Sequence, residues 1–156
     1  MWSASLKAVI QRVQQASVSV NQCVVGDINR GFMILLGVAA MDTLSDVATL
    51  LNKVCGLRVF PSDVRSMDRS LQDVQGDVLI VPQFTLLADF QKGRRPSFSN
   101  AAHPTVAKPL VDAFIHMARG MPIGHVASGV FGADMQVSLV NDGPVTITLD
   151  TQAIPL

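Results

Sequence analysis

The chain has 156 residues, 49% of them hydrophobic and 15% charged, enough for one buried core without disulfides or metal and too apolar for a disordered chain. Twelve basic residues balance twelve acidic ones, for a formal net charge of zero. No global field therefore holds nucleic acid, and any RNA contact has to be local.

Met1-Trp2-Ser3-Ala4-Ser5 reads as a short cap ahead of the first strand, and Lys7 interrupts any signal-like stretch, so a soluble, cytoplasmic protein is expected. Leu6 to Val13 and Ser17 to Val20 are expected as strands. Asn21-Gln22 then turns the chain into Cys23-Val24-Val25, with Gly26 beyond, an antiparallel opening. Phe32 to Val38 is continuously apolar, which suits a central strand covered on both faces. The run on to Met41 contains Gly37 and is far too short to span a bilayer. After an Asp42-Thr43 cap, Leu44, Val47, Leu51, Val54 and Leu57 step by three and four, the stripe of a helix packed on that sheet. Pro61 to Ser70 reads as surface loop, Leu71 to Gly76 leads into a strand at Val78 to Val81, and Asp89 to Pro104 is loop again. Val106, Leu110, Phe114 and Met117 mark a second helix from about Thr105 to Arg119, closed by Gly120, with Pro109 either in its first turn or at a kink. Strands at about His125 to Phe131, Met135 to Val140 and Val145 to Leu149 finish the chain. The expectation is one α+β domain over residues 1–156, a mainly antiparallel sheet with two principal helices in layers, rather than an alternating wound sheet. Cys23 and Cys55 lack CxxC spacing and read as reduced core thiols.

Two segments put unusual chemistry inside apolar strand patterns. In Val81-Pro82-Gln83-Phe84-Thr85-Leu86, Pro82 removes a ladder donor, and Gln83 and Thr85, two apart, fall on one face of a strand. Two polar side chains there need a polar destination, either a ligand cleft or a buried hydrogen-bond network, and spacing alone leans to the network. In Asn141-Asp142-Gly143-Pro144-Val145-Thr146 a half-buried strand breaks at Gly-Pro and resumes. That dipeptide is either a plain turn or a rigid element holding two carbonyls in a fixed direction, above all if cis. The chain has no GxSxG elbow, no Cys-His pair, no Gly-rich phosphate loop and no spacing of His103, His116 and His125 that suggests a metal site. A hydrolase built from it would stabilise its transition state with oriented backbone N–H groups or borrow a group from its substrate, without cofactor or metal. Lys92, Arg94 and Arg95 form the one dense basic cluster, ordinarily a solvated loop.

The two segments resemble the signatures of the D-aminoacyl-tRNA deacylase family, a Ser-Gln-Phe-Thr-Leu strand and an Asn-x-Gly-Pro-x-Thr loop. Ala8-Val9-Ile10-Gln11-Arg12-Val13, Lys92-Gly93-Arg94-Arg95-Pro96-Ser97-Phe98 and Phe131-Gly132-Ala133-Asp134-Met135-Gln136-Val137 resemble further blocks of that family, in its order. The likeness runs from about Leu6 to Asp150. Pro82 stands where the family usually has Ser, so the role of that hydroxyl does not carry over.

The resemblance implies a layered homodimer that hydrolyses the ester between a D-amino acid and the terminal ribose of tRNA, a proofreading step in translation. The neighbouring 2′-hydroxyl would assist attack by water. Backbone N–H groups around Gln83, Phe84 and Thr85 would hold the oxyanion, with Thr85 as a positioning or water-binding group; the Phe84 ring, taken by itself, reads as core filler. A cis Gly143-Pro144 would reach into the partner subunit's pocket and aim its carbonyls at the α-amino end, where an L side chain collides and glycine leaks through. Arg12 and Met135 match positions that brace this loop, although Arg12 alone reads as a strand-surface salt bridge. Lys92, Arg94 and Arg95 would meet acceptor-stem phosphates. Two other readings stay open. One is a related branch that begins its motif with Pro-Gln, holds Gly-Pro trans and removes L-amino acids. The other is a non-catalytic RNA- or nucleotide-binding module. Phe84 and the Gly-Arg-Arg-Pro-Ser-Phe block favour the D-specific branch, and the zero net charge with intact Gln83, Thr85, Gly143 and Pro144 speaks against the module.

Overall fold

The computed structural model describes residues 5–155, so of the cap expected at residues 1–5 all but Ser5 lies outside the described residues. Strand β1 (Lys7–Val20) is the spine of the sheet, followed by β2 (Cys23–Ile28) and β3 (Gly31–Gly37). Asn21 and Gln22 both take positive φ, 49° and 67°, the left-handed pair that a two-residue hairpin turn requires. The two strands expected between Leu6 and Val20 are one. Gln14 falls in a bulge where the register against β8 (Gln136–Asp150) shifts between Val13 and Gln15. The bulge switches the parity of burial: Ala8 and Ile10 face one core, while Val13, Ala16 and Val18 face the other.

The sheet runs β2-β1-β3-β6-β7, with β8 on β1; β6 is Asp77–Pro82 and β7 is Val126–Ser128. The three pairings made by β1, with β2, β3 and β8, are antiparallel, and those of β6 with β3 and β7 are parallel. Parallel neighbours need long crossovers, supplied here by α1 (Leu44–Gly56) and α3 (Pro104–Arg119), the two principal helices expected. A single helical turn, α2 (Leu71–Val74), precedes β6. Within the presumed loop 61–70, Arg69–Ser70 (β5) pairs with Arg58–Phe60 (β4). Both long helices cover one face, packing Val47, Leu50, Leu110 and Phe114 on Phe32, Ile34 and Leu36. On the other face the edge strands β2 and β7 come into contact and enclose Val18, Met33, Leu79, Val81 and Ala127. Burial on both sides explains the unbroken apolar run of β3.

The helical stripes keep Val47, Leu51, Val54, Leu110 and Phe114 of the expected ones and differ at their edges. In α3 the buried residues are Ala107, Leu110, Val111, Phe114 and Ala118, while Val106 and Met117 are exposed. In α1, Leu44 is exposed and Leu50 and Cys55 are buried. At about 100° per residue, Val106 and Met117 fall just outside one edge of the buried arc of α3, and Leu44 is the first residue of α1, ahead of the packed turns. Pro109 sits inside α3 on the exposed side, leaving the Thr105 carbonyl without its i+4 donor. Cys23 is exposed, not a core thiol as expected, because it starts β2 beside the hairpin turn. Cys55 is buried, and burial pushes its thiol up to about 11.

At the β3–α1 junction the buried carboxylate of Asp42 accepts the backbone N–H groups of Ser5 and Ala39, each at 2.6 Å. Burial outweighs those bonds and pushes its pKa from 3.8 up to about 6. The folded chain thus binds this proton more tightly than the unfolded one, so Asp42 favours folding most below pH 3.8 and loses that contribution as pH rises through 6. Urea midpoints of wild type and Asp42→Asn compared from pH 4 to 7 should show wild type gaining on the variant as pH falls. A difference that does not change with pH would contradict it.

Candidate functional site

β6 ends where Pro82, paired with Leu36 of β3, has no N–H to extend the ladder. Gln83 turns away (φ −146°, ψ 79°), and Phe84–Leu87 forms a 3-10 turn. The strand therefore stops at Pro82, one residue past its expected end, and the signature residues Gln83 and Thr85 leave it. Gln83 and Thr85 meet through the turn rather than on a shared strand face, with Gln83 Nε2 donating to Thr85 Oγ1. The turn is seated on β3: Gln83 N–H donates to the Leu36 carbonyl at 2.8 Å. A Cβ at Gly37 would lie 2.9 Å from the Gln83 carbonyl oxygen and 2.8 Å from the Leu87 side chain, so glycine is what admits this approach. Since the Gln83 N–H is engaged, it is unavailable to an oxyanion. The donors ahead of the first internal bond of the turn, Leu86 N–H to Gln83 O at 3.3 Å, are the N–H groups of Phe84 and Thr85.

Beside Gln83 and Phe84 opens a cavity of about 550 Å³, walled by β3, β6, α3 and residues 131–137. Leu36, Val38, Val81 and Val111 make much of its lining apolar. Phe84 is 58% exposed, its ring centroid 5.0 Å from that of Phe98 in an edge-to-face pair. The core-filler expectation fails because the turn lifts residue 84 off the strand. Met135 lies in the cavity wall, its sulfur accepting the Val130 N–H at 3.4 Å, and no hydrogen bond ties it to the Gly143–Pro144 loop. Phe98, Phe131 and the exposed carboxylate of Asp134 also line the cavity. The sequence reading did not single them out, although all three lie within its quoted blocks.

The Gly143–Pro144 segment does not end a strand: β8 runs continuously from Gln136 to Asp150, correcting the two strands expected there. Asn141 pairs with Val13 and Thr146 with Gln11, so residues 142–145 stand opposite Arg12 alone and bulge from the ladder. The Gly143–Pro144 peptide is cis. Gly143 has φ 145°, and a Cβ there would lie 2.8 Å from Val145 Cγ2 and 3.2 Å from an Arg12 guanidinium nitrogen. Arg12 is buried, donating from Nε to the Asp142 carbonyl at 2.9 Å and from Nη1 to the Val59 carbonyl at 2.6 Å. It buttresses the bulge and also pairs with the Asp142 carboxylate at 3.8 Å, so the expected salt bridge exists but is buried on the Arg12 side rather than lying at the strand surface. Asn141 closes the bulge from the other side: its Oδ1 accepts Val145 N–H at 2.7 Å and its Nδ2 donates to Thr146 Oγ1 at 3.1 Å. That accounts for Asn and Thr flanking Gly-Pro in the motif.

Asp89 and Ser97 exchange two backbone hydrogen bonds of 2.7 Å, pinching residues 90–96 into a protruding loop. Lys92, Arg94 and Arg95 are exposed on it, and none enters an ion pair among the described residues. His116 is exposed, and His103 caps α3 by accepting the Thr105 N–H at 3.2 Å. Among the described residues no group of three His, Cys, Asp or Glu side chains is placed to hold a metal, and no helix is long and apolar enough to cross a membrane.

A family model described as D-Tyr-tRNA(Tyr) deacylase matches residues 9–150. A Herpetosiphon aurantiacus protein described as D-aminoacyl-tRNA deacylase is 54% identical over 146 residues, 94% of this chain and 95% of its own. An Opitutus terrae protein with the same description is 53% identical over 148 residues, 95% and 99% of the two chains. Among solved structures, a c-Myc DNA Unwinding Element Binding Protein superposes with TM-score 0.85 at 38% identity, covering 92% of this chain and 97% of its own. A probable eukaryotic D-amino acid tRNA deacylase shares the fold, with TM-score 0.80 at 22% identity over 94% and 99%.

Proposed function

Because the chain belongs to the D-Tyr-tRNA(Tyr) deacylase family, we propose that it hydrolyses the ester of D-aminoacyl-tRNA to free D-amino acid and tRNA. The observation that carries this reading is the seating of the Phe84 and Thr85 N–H groups, with the bonded Gln83–Thr85 pair, beside an apolar cavity. Water adds to the ester carbonyl carbon, the carbonyl electron pair moves onto oxygen, and the two N–H groups receive that oxyanion. Collapse expels the 3′-oxygen of the ribose, which takes up a proton. Donors of this kind are each worth about 10²–10³ in rate. Gln83 and Thr85 are neutral near pH 7, so they orient water or the amino end of the substrate, and the 2′-hydroxyl beside the ester relays the proton.

Chiral selection comes from Gly143–Pro144 of a second copy, in a homodimer whose loops close each other's sites. In support, both residues are exposed and neither lines the cavity of its own chain. Arg12 and Asn141 hold the loop so that its carbonyls face the α-carbon; an L side chain collides, a D side chain points away, and glycyl-tRNA leaks through. Met135 shapes the cavity wall against the substrate. The acceptor end lies along Lys92, Arg94 and Arg95. The chain acts as one domain over residues 1–156, in the cytoplasm with the tRNA it serves.

The test is turnover by purified protein without added metal. D-aminoacyl-tRNA is expected to be cleaved and its L counterpart spared; equal cleavage of both would refute the filter. Replacing Arg94 and Arg95 with Ala is expected to weaken tRNA binding and to flatten its salt dependence by about one unit of slope per lost phosphate contact. D/L preference should be retained. A changed preference in that variant would mean that the loop shapes the cavity itself.

A further inference from the structure

We propose that Phe90 is a stacking platform for an unpaired base of the tRNA 3′ end, the one adjoining the terminal nucleotide; this rests on the deacylase reading above. Phe90 is 73% exposed, more than the Phe84 ring at the cavity. A phenyl ring left that open at a loop neck contributes nothing to the core, and its backbone is nonetheless held on both sides. The paired backbone bonds of Asp89 with Ser97 fix it from one direction, and the Asp89 carboxylate accepts the Gln91 N–H at 3.0 Å from the other. A preorganised aromatic surface costs little entropy when a ligand covers it.

Its neighbours say what that ligand is. The same pinch places Phe98, which follows Ser97, at the loop neck with Phe90. Phe98 lines the cavity and packs its ring on Phe84. Relative to the Asp89–Ser97 bridge, Phe98 and its partner Phe84 therefore lie on the cavity side, Phe90 is the first residue on the loop side, and the exposed cations Lys92, Arg94 and Arg95 follow toward the loop tip. In a chain of zero net charge, an exposed ring on a loop with three cations that have no ion-pair partner among the described residues matches a single strand of nucleic acid, whose bases stack on aromatic faces while its phosphates meet the cations. With the aminoacylated terminal nucleotide in the cavity, the next base reaches Phe90 and the phosphates beyond reach the loop tip. Stacking accepts any base, so the contact serves many tRNAs alike.

Phe90→Ala, Phe90→Leu and Phe90→Trp are compared with wild type on D-aminoacyl-tRNA carrying either the normal nucleotide or an abasic residue next to the terminal one. Phe90→Ala and Phe90→Leu should raise KM about tenfold, within the span of one lost base–aromatic stack, with a far smaller effect on kcat. Phe90→Trp should restore the wild-type KM, and the abasic substrate should erase the difference between wild type and Ala. A second readout is independent of turnover: uncharged tRNA with 2-aminopurine at that position should lose fluorescence on binding wild type and the Trp variant but not Ala or Leu. An unchanged KM in Phe90→Ala, a loss that persists on the abasic substrate, or quenching indifferent to residue 90 would each overturn the proposal. The hydrolysis reading would stand in all three cases. Absence of hydrolysis by wild type would sink that reading instead, and quenching would still decide the stacking.

Discussion

D-aminoacyl-tRNA ending in a 2′-deoxyribose is expected to bind this protein and to resist it, with turnover falling about 10²–10⁴-fold, the usual span for a lost proton-transfer group. The expectation follows from what surrounds the turn at 84–87. Gln83 and Thr85 are bonded to each other and titrate nowhere near neutrality. With the Gln83 N–H engaged, the Phe84 and Thr85 N–H groups have no acceptor among the described residues, and such donors hold a negative oxygen but do not remove a proton from water. In the proposed mechanism the substrate's own hydroxyl, adjacent to the ester, would fill that need. Single-turnover rates on ribose and deoxyribose substrates, with binding measured separately, decide the point. Normal cleavage of the deoxy substrate would move the activation to a protein group. Thr85→Val and Asp134→Asn would then separate the hydroxyl at the turn from the carboxylate lining the cavity.

The second large effect concerns the proposed sharing of each site between two subunits. A Thr85→Val protein is expected to be nearly inactive, and a protein lacking Gly143 and Pro144 is expected to lose D/L discrimination. In a heterodimer of the two, the strand end of the loop-deleted subunit meets the intact loop of the Thr85→Val subunit, and the other site carries both defects. Purified heterodimers should therefore be fully D-selective with about half the wild-type turnover, since one of two equivalent sites is whole. The change in D/L ratio is the readout: mixing in an inactive protein should raise the selectivity of an unselective one. Heterodimers as unselective as the loop-deleted parent would place turn and loop of one site in the same subunit. They would also remove the reason that Gly143 and Pro144, fixed by Arg12 and Asn141, stand clear of their own cavity.

What the sequence by itself determined was whatever is written in local periodicity and in ordered blocks. The doubly apolar run of β3, the two principal helices, the Thr43 start and Gly120 end, the Asn21-Gln22 turn and the family blocks were all legible. Each depends on residues within one or two turns of one another. Tertiary structure decided what depends on a distant partner. β1 and β8 became long single strands because they pair along one another, so interruptions read as breaks, at Gln14 and at Gly143–Pro144, turned into bulges. Arg12 changed from a surface charge to a buried buttress because the carbonyls of Val59 and Asp142, 47 and 130 residues away, converge on it. Leu36 claimed the Gln83 N–H and Gly37 admitted the turn, leaving Phe84 exposed and two particular N–H groups free. Side-chain pattern records how deep a residue lies. Which backbone donor is taken, and which remains for a substrate, is set by strands that meet only once the chain has folded.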